Sequence, residues 1–301
     1  MSSNTKGVLF ALGAALAMSN VYIFSKAALN VVHLAQFGFY WFGLGIIWNL
    51  IYFFSRKKHK GIKKINRRNW LGLSLISALE MFGTLFFFLA VNTIENPAIV
   101  SFLSNVNPLF VVAMGIIFLK ERFNMLEFSG LAITLAGAVI ISISGVTNSD
   151  SFFVAGSQYI FISGIIYSIS TLVAKKQLRY FDASYLATAR LLLLFLFSTI
   201  SLIYLDLPLN IQPDAILNIG IGSLMGPFLS GVLGYLALKN IEMSKATMVR
   251  SVRSLFVLVG AYFYFNTFPN QWQIIGGIFT ITGVLLISTG KMRLSRGKKT
   301  S

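Results

Sequence analysis

Polar residues punctuate this chain at regular intervals. Between them run apolar stretches of about 20 residues, enough for a helix to cross a ~30 Å hydrocarbon core. The pattern predicts ten spans, at roughly 7–26, 35–54, 70–91, 97–119, 125–145, 153–174, 184–205, 215–237, 245–265 and 272–290. The gaps are short, so the expected fold is one all-α polytopic bundle with no soluble domain. Met1 to Lys6 runs straight into the first span without a small-residue cleavage signal. It is read as the start of a transmembrane helix, not as a removed signal peptide.

Charge gives the spans a direction. Of the 25 Lys and Arg residues, all but Lys26, Arg190, Arg250 and Arg253 lie in every second gap or at the two ends. The gap 55–69 holds Arg56, Lys57, Lys58, Lys60, Lys63, Lys64, Arg67 and Arg68. Orientation bias makes it cytoplasmic. Counting outward places both termini on the cytoplasmic side of the cytoplasmic (inner) membrane. Lys120 and Arg122, then Lys175, Lys176 and Arg179, then Lys239 and Lys245, and the tail from Lys291 to Lys299 follow the same rule. The alternate gaps carry Glu95, Asp150, Asp206 and Asp214 and no Lys or Arg. These basic loops are read as topology signals rather than as sites for lipid headgroups.

Composition narrows the class. The chain is 56% hydrophobic and 11% charged, against about 25% charged in a soluble domain. Its net charge of +16 sits in short loops and gives no water-facing basic surface for nucleic acid. Cysteine is absent, which excludes disulfides, thiolate catalysis and cysteine-based metal sites. Two histidines far apart, His33 and His59, do not suggest a metal site, and no cofactor is expected. No phosphate-cradling glycine loop ending in Lys-Ser/Thr is present, which argues against ATP-driven transport by this chain alone.

The chain repeats itself. Gly130-Leu-Ala-Ile-Thr-Leu-Ala-Gly137 reads against Gly276-Gly-Ile-Phe-Thr-Ile-Thr-Gly283. Asn107-Pro-Leu-Phe110 reads against Arg253-Ser-Leu-Phe256, Leu89-Ala90 against Leu236-Ala237, and Glu95 against Glu242. The first spans of the halves end at Lys26 and Lys175. Residues 1–150 therefore form one five-helix unit, and 151–301 a second with a basic tail. Five is odd, so the second unit enters the membrane inverted, a common plan of secondary transporters.

These residues resemble the drug/metabolite transporter superfamily, in particular its EamA-type members with ten helices. The resemblance rests on Asn107-Pro108-Leu109-Phe110, on Leu119-Lys120-Glu121-Arg122-Phe123, on the glycine pairs Gly130/Gly137 and Gly276/Gly283, and on Ala187 through Arg190. It covers nearly the whole chain through short motifs that speak to architecture and transport, not to substrate. It implies a cavity lined by both halves and open alternately to each face. It also implies small metabolites as cargo, and export by many bacterial members. The chain departs from the pattern in places. The arginine of the second helix in each half is present at Arg190, whereas the first half has aromatics, Phe39 to Phe42. Glu121 and Pro108 are matched by Thr267 and Ser254. Arg250 and Arg253 are not part of the family pattern.

Once the loop charges are set aside, few charged groups remain. Glu80 lies about ten residues into span 3, hence ~15 Å deep. A carboxylate there must be paired, protonated or hydrated. It is either a substrate-cation ligand or proton carrier, or one half of a structural ion pair with an arginine. Arg250 and Arg253 lie five and eight residues into span 9, and i, i+3 spacing would place both on one helix face. They are either an anion clamp, since the guanidinium fork suits carboxylate or phosphate, or snorkelling residues. Arg190 is read as structural, bonding helix-end carbonyls, and Lys26 as snorkelling or an outer-gate residue. Asn20, Tyr22, Tyr167 and Ser168 belong to polar runs in the first span of each half. Ser104 and Asn105 precede Pro108, whose ring removes a backbone hydrogen bond and should expose carbonyls by a kink. All nine polar positions are candidate substrate contacts, and Arg190, Lys26 and Pro108 are candidate structural or gating positions. Gly43-Leu-Gly45 and the Gly130/Gly137 pair are read as close-packing sites.

The expected function is secondary active transport, in the export direction, of a small polar metabolite such as an amino acid or other organic anion or zwitterion. Proton coupling and contact with membrane lipid accompany that reading. No enzymatic role is expected. A channel, or a lipid-handling or enzymatic membrane protein, is the alternative.

Overall fold

The computed structural model describes residues 3–55, 67–119, 124–144 and 155–297. The basic stretch 56–66, Lys120 to Phe123 with Glu121, Asp150 and residues 298–301 lie outside them. Among the described residues every regular element is a helix. Seven stretches are long and apolar enough to cross a membrane, with shorter apolar helices at Phe128–Ile141 and Arg253–Phe265. This is an all-α polytopic membrane fold.

Spans 1, 2, 3, 5, 6, 7 and 10 are single helices: Ser3–Leu29, Leu34–Ser55, Arg67–Thr93, Met125–Ser144, Ser157–Gln177, Ala183–Tyr204 and Gln271–Gly297. Span 6 is capped at its start by Gly156, whose φ of 92° is one that residues with a Cβ rarely adopt. Span 6 starts there, a few residues later than expected.

Spans 4, 8 and 9 differ from the continuous helices expected. Span 4 is Pro97–Leu103, a 3-10 turn Ser104–Val106, then Asn107–Leu119. The reason is Pro108. It has no N–H to offer the carbonyl four residues back, that of Ser104. Span 8 is Pro213–Ser223, a π-helical turn Leu224–Ser230 holding Pro227, then Gly231–Asn240. Span 9 is Met243–Arg250 and Arg253–Phe265, separated at Ser251 and Val252. So Arg250 and Arg253 do not sit on one unbroken helix face. Of the three, spans 4 and 9 obey the repeat, since their second segments begin at the aligned residues Asn107 and Arg253.

Packing follows the same two-fold relation. Span 1 packs on spans 8 and 9, and its counterpart span 6 packs on spans 3 and 4. Span 2 packs on its counterpart span 7, and span 5 on its counterpart span 10. The last pair is close because of its glycines. A Cβ on Gly137 would lie 2.5 Å from the Gly276 carbonyl oxygen, and one on Gly283 would lie 2.5 Å from that of Gly130. Without Cβ atoms the backbones approach, which is how helices gain dispersion energy where lipid competes for every apolar surface.

Candidate functional site

A cavity of about 170 Å³ lies where the breaks converge. Spans 1, 2, 3, 4, 6, 7, 8 and 9 contribute to its wall. One side is apolar and aromatic. Trp41 and Phe88 meet edge to face with ring centroids 5.9 Å apart, Phe37 packs on Phe88 at 4.8 Å, and Tyr22 meets Phe87 at 5.1 Å. Trp41 fits because Gly222 faces it. A Cβ there would come within 2.3 Å of the indole.

The other side is charged. Glu80 is buried, and both its oxygens are engaged. Ser170 donates to Oε1 at 2.8 Å, and Arg190 Nη1 donates to Oε2 at 3.1 Å. Arg190 Nη2 donates to the Pro227 carbonyl at 3.3 Å, and its guanidinium lies 5.9 Å from the centre of the Tyr235 ring. The π-helical turn in span 8 thus presents a main-chain oxygen to the arginine. Gly231 lets the arginine approach, since a Cβ there would lie 2.5 Å from Nη2. Beside this network Tyr167 and Thr84 share a hydrogen bond of 2.8 Å.

The two arginines of span 9 have a different environment. Arg253 is buried. Its Nε donates to the Tyr22 hydroxyl at 3.2 Å and its Nη2 to the Ser104 carbonyl at 3.5 Å. That oxygen also accepts the Asn107 N–H of the 3-10 turn, because Pro108 has no N–H to bond it in the α-helical way. Arg250 lies over Gly234, where a Cβ would sit 3.2 Å from Nη1. Its Nε is buried without a hydrogen-bond partner. Neither reaches Glu80, whose oxygens are held by span 6 and span 7.

The structure thus gathers Glu80, Tyr22, Tyr167, Ser168, Arg190, Arg250 and Arg253 around one cavity. Ser104 contributes its carbonyl, while its hydroxyl bonds the Val100 carbonyl at 2.7 Å. Asn105 faces elsewhere. It donates to Thr280 at 3.2 Å and accepts from Ser254 at 3.1 Å, joining span 4 to spans 10 and 9. Asn20 bonds the Leu16 carbonyl of its own helix at 3.0 Å and does not line the cavity. Lys26 is buried rather than snorkelling, with Nζ donating to the Asn92 carbonyl at 3.1 Å.

Sequence reasoning missed Tyr235, Trp41, Gly231 and Gly234. The spacing Gly231-x-x-Gly234-Tyr235 in an apolar span is a signal for close approach, but only the arginines packed on it give it meaning. A second cavity of about 180 Å³ adjoins the first. It is almost wholly apolar and shares Phe42, Thr84, Phe88 and Leu194 with it.

A two-fold-related pair of five-helix units around a charged central cavity is the architecture of a multi-pass membrane transporter. The chain belongs to the EamA-like transporter family, which matches it twice, over residues 5–143 and 154–289. It is 25% identical over 293 residues to an uncharacterized transporter of Archaeoglobus fulgidus, covering 94% of this chain and 97% of that one. It is 24% identical to an uncharacterized transporter of Synechocystis, with 81% and 72% covered. A similar relative from Methanothermobacter thermautotrophicus is 25% identical, with 77% and 68% covered. One solved crystal structure superposes with a TM-score of 0.73 at 16% identity, over 97% of this chain and 99% of the other. It shares the fold.

Proposed function

We propose that the protein carries a small organic anion across the cytoplasmic membrane by alternating access, in the export direction, with both termini in the cytoplasm. One observation carries the anionic part of this reading. Three guanidinium groups line the cavity, and Glu80 is the single acid among its lining residues. Glu80 is held by Arg190 and Ser170, so Arg250 and Arg253 carry charge that no lining side chain neutralises. Arg250 Nε has a hydrogen to donate and no partner, and a carboxylate or phosphate oxygen would satisfy it. An anion answers this site better than a zwitterion does, because an ammonium group would find no unengaged carboxylate there.

The test uses purified protein in liposomes. A carrier gives saturable uptake and counterflow of unlabelled against labelled anion. Flux that rises linearly with concentration would identify a channel, and recovery of a chemically altered solute would identify an enzyme. A melting-temperature screen of small carboxylates, phosphates and amines finds the cargo class, because a ligand that binds the folded state raises its stability. Stabilisation by amines alone would overturn the anionic assignment.

A further inference from the structure

Lys26 and Lys175 stand near the ends of the corresponding spans 1 and 6, and each donates to main-chain carbonyls at the end of another span, at opposite ends of the cavity. Lys26 closes span 1 and donates to the Asn92 carbonyl near the end of span 3. Lys175 closes span 6 and donates to the Leu238 and Ile241 carbonyls at the end of span 8. The receiving positions correspond as well. Asn92 stands three residues before Glu95, and Leu238 and Ile241 flank Lys239, which stands three residues before Glu242.

Each bond runs between two groups of spans that otherwise meet chiefly through spans 4 and 9. Span 1 packs chiefly on spans 8 and 9, whereas span 3 packs on spans 6 and 7. The Lys26 bond therefore ties the group formed by spans 1, 8 and 9 to the group formed by spans 3, 4 and 6. The Lys175 bond ties the same two groups in the reverse sense. Because the halves are inverted, one tie lies at the face where span 1 ends and the other at the face where span 1 begins. The cavity lies between them.

We infer that Lys26 and Lys175 are paired latches, one for each mouth of the transport cavity, and that alternating access releases one while the other holds. The chemistry suits a latch. A lysine ammonium bound to a main-chain carbonyl at a helix end also gains from the helix dipole. When the mouth opens, water replaces the carbonyl, so the net cost is that of one charge-assisted bond at Lys26 and two at Lys175, and the change is reversible. The acceptors are backbone atoms, so the donors alone decide whether the latch exists. In this structure both latches are closed. The inference rests on alternating access as proposed above.

The natural absence of cysteine makes the test direct. Thr84→Cys reports on the wall toward the Lys26 mouth, and Thr247→Cys on the wall toward the Lys175 mouth. Each reporter is labelled with a membrane-impermeant maleimide added to right-side-out or to inside-out vesicles. Lys26→Met should speed labelling of Thr84→Cys about tenfold from the face where span 1 ends, with no gain from the other. Lys175→Met should do the same for Thr247→Cys from the face where span 1 begins. Lys26→Arg and Lys175→Arg, which keep a donor and the charge, should label at the parental rate. If a Met variant does not fold, the corresponding Gln variant is read in the same way. Equal gains at both faces, gains at the same face for both lysines, or no gain from either would overturn the latches. Labelling needs no cargo, so the latches can fail while transport stands. A change in labelling without saturable flux would instead sink the transport reading and leave the two-faced opening.

Discussion

The charges inside this bundle fall into two kinds, and the difference is one of partners. Arg190 is compensated, because Glu80, the Pro227 carbonyl and the Tyr235 ring surround it. Arg250 is not: both arginines leave a buried Nε without a partner, but no acceptor among the described residues bonds any nitrogen of Arg250. The two should therefore respond to mutation in opposite ways. Glu80→Gln leaves Arg190 charged, buried and unpaired, and is expected to lower stability by about 3–5 kcal/mol. Denaturation in detergent measures this, and adding Arg190→Gln should restore part of the loss, as coupled partners do. If a proton gradient drives transport through Glu80, the same Glu80→Gln variant loses accumulation while keeping exchange. Arg250→Gln relieves an unneutralised charge instead. It should leave melting little changed and weaken anion binding about tenfold to hundredfold, the worth of one charge-assisted bond, as read by titration calorimetry.

At the scale of elements, the breaks in spans 4, 8 and 9 matter more than the helices. Those in spans 4 and 8 turn a main-chain oxygen toward the arginines of the cavity, which membrane proteins tolerate where irregular backbone lines protein or water rather than lipid. Pro108 denies the Ser104 oxygen its α-helical donor, and Arg253 joins the Asn107 N–H of the 3-10 turn there. The seam between spans 5 and 10 is the opposite case, an unbroken contact of backbone on backbone. Gly276 admits no side chain there, since a Cβ would lie 2.7 Å from the Gly137 carbonyl oxygen. Gly276→Val should destabilise the protein by about 1–3 kcal/mol through overpacking. A fall in melting temperature with unchanged ligand affinity in the surviving folded fraction is the expected result. Gly231→Ala differs, because it would press on Arg190 Nη2 and so should disturb the charged wall as well as the packing.

At the scale of the molecule, the two units exchange partners. Span 1 leaves its own half to pack on spans 8 and 9, and span 6 does the converse. Neither unit holds a complete cavity by itself. Expressing residues 1–150 and 151–301 as separate chains should therefore give binding only when both are present in the same membrane. A melting shift with ligand from either half alone would contradict this.

The sequence by itself determined the ten spans, the duplication and the glycine seam, because hydropathy, loop charge and small-residue spacing are local signals. It also isolated Glu80, Arg190, Arg250 and Arg253 as charges with no reason to be in a loop. Their pairing was not legible. Glu80 could have met any of three arginines, and the approach of spans 3, 6 and 7 gave it to Arg190. The same charge filter set Lys175 aside with the loop residues, although it mirrors Lys26. Its place beside the end of span 8 separates it from its neighbours in the sequence, since proximity between spans depends on how helices cross. Asn20 and Asn105 show the reverse. Both are polar and deep in spans, yet helix rotation turns one onto its own backbone and the other onto spans 9 and 10. A sequence records which residues lie at which depth. Only the packed bundle decides which of them face one another, because rotation and crossing are set by the sum of contacts along whole helices rather than by any residue alone.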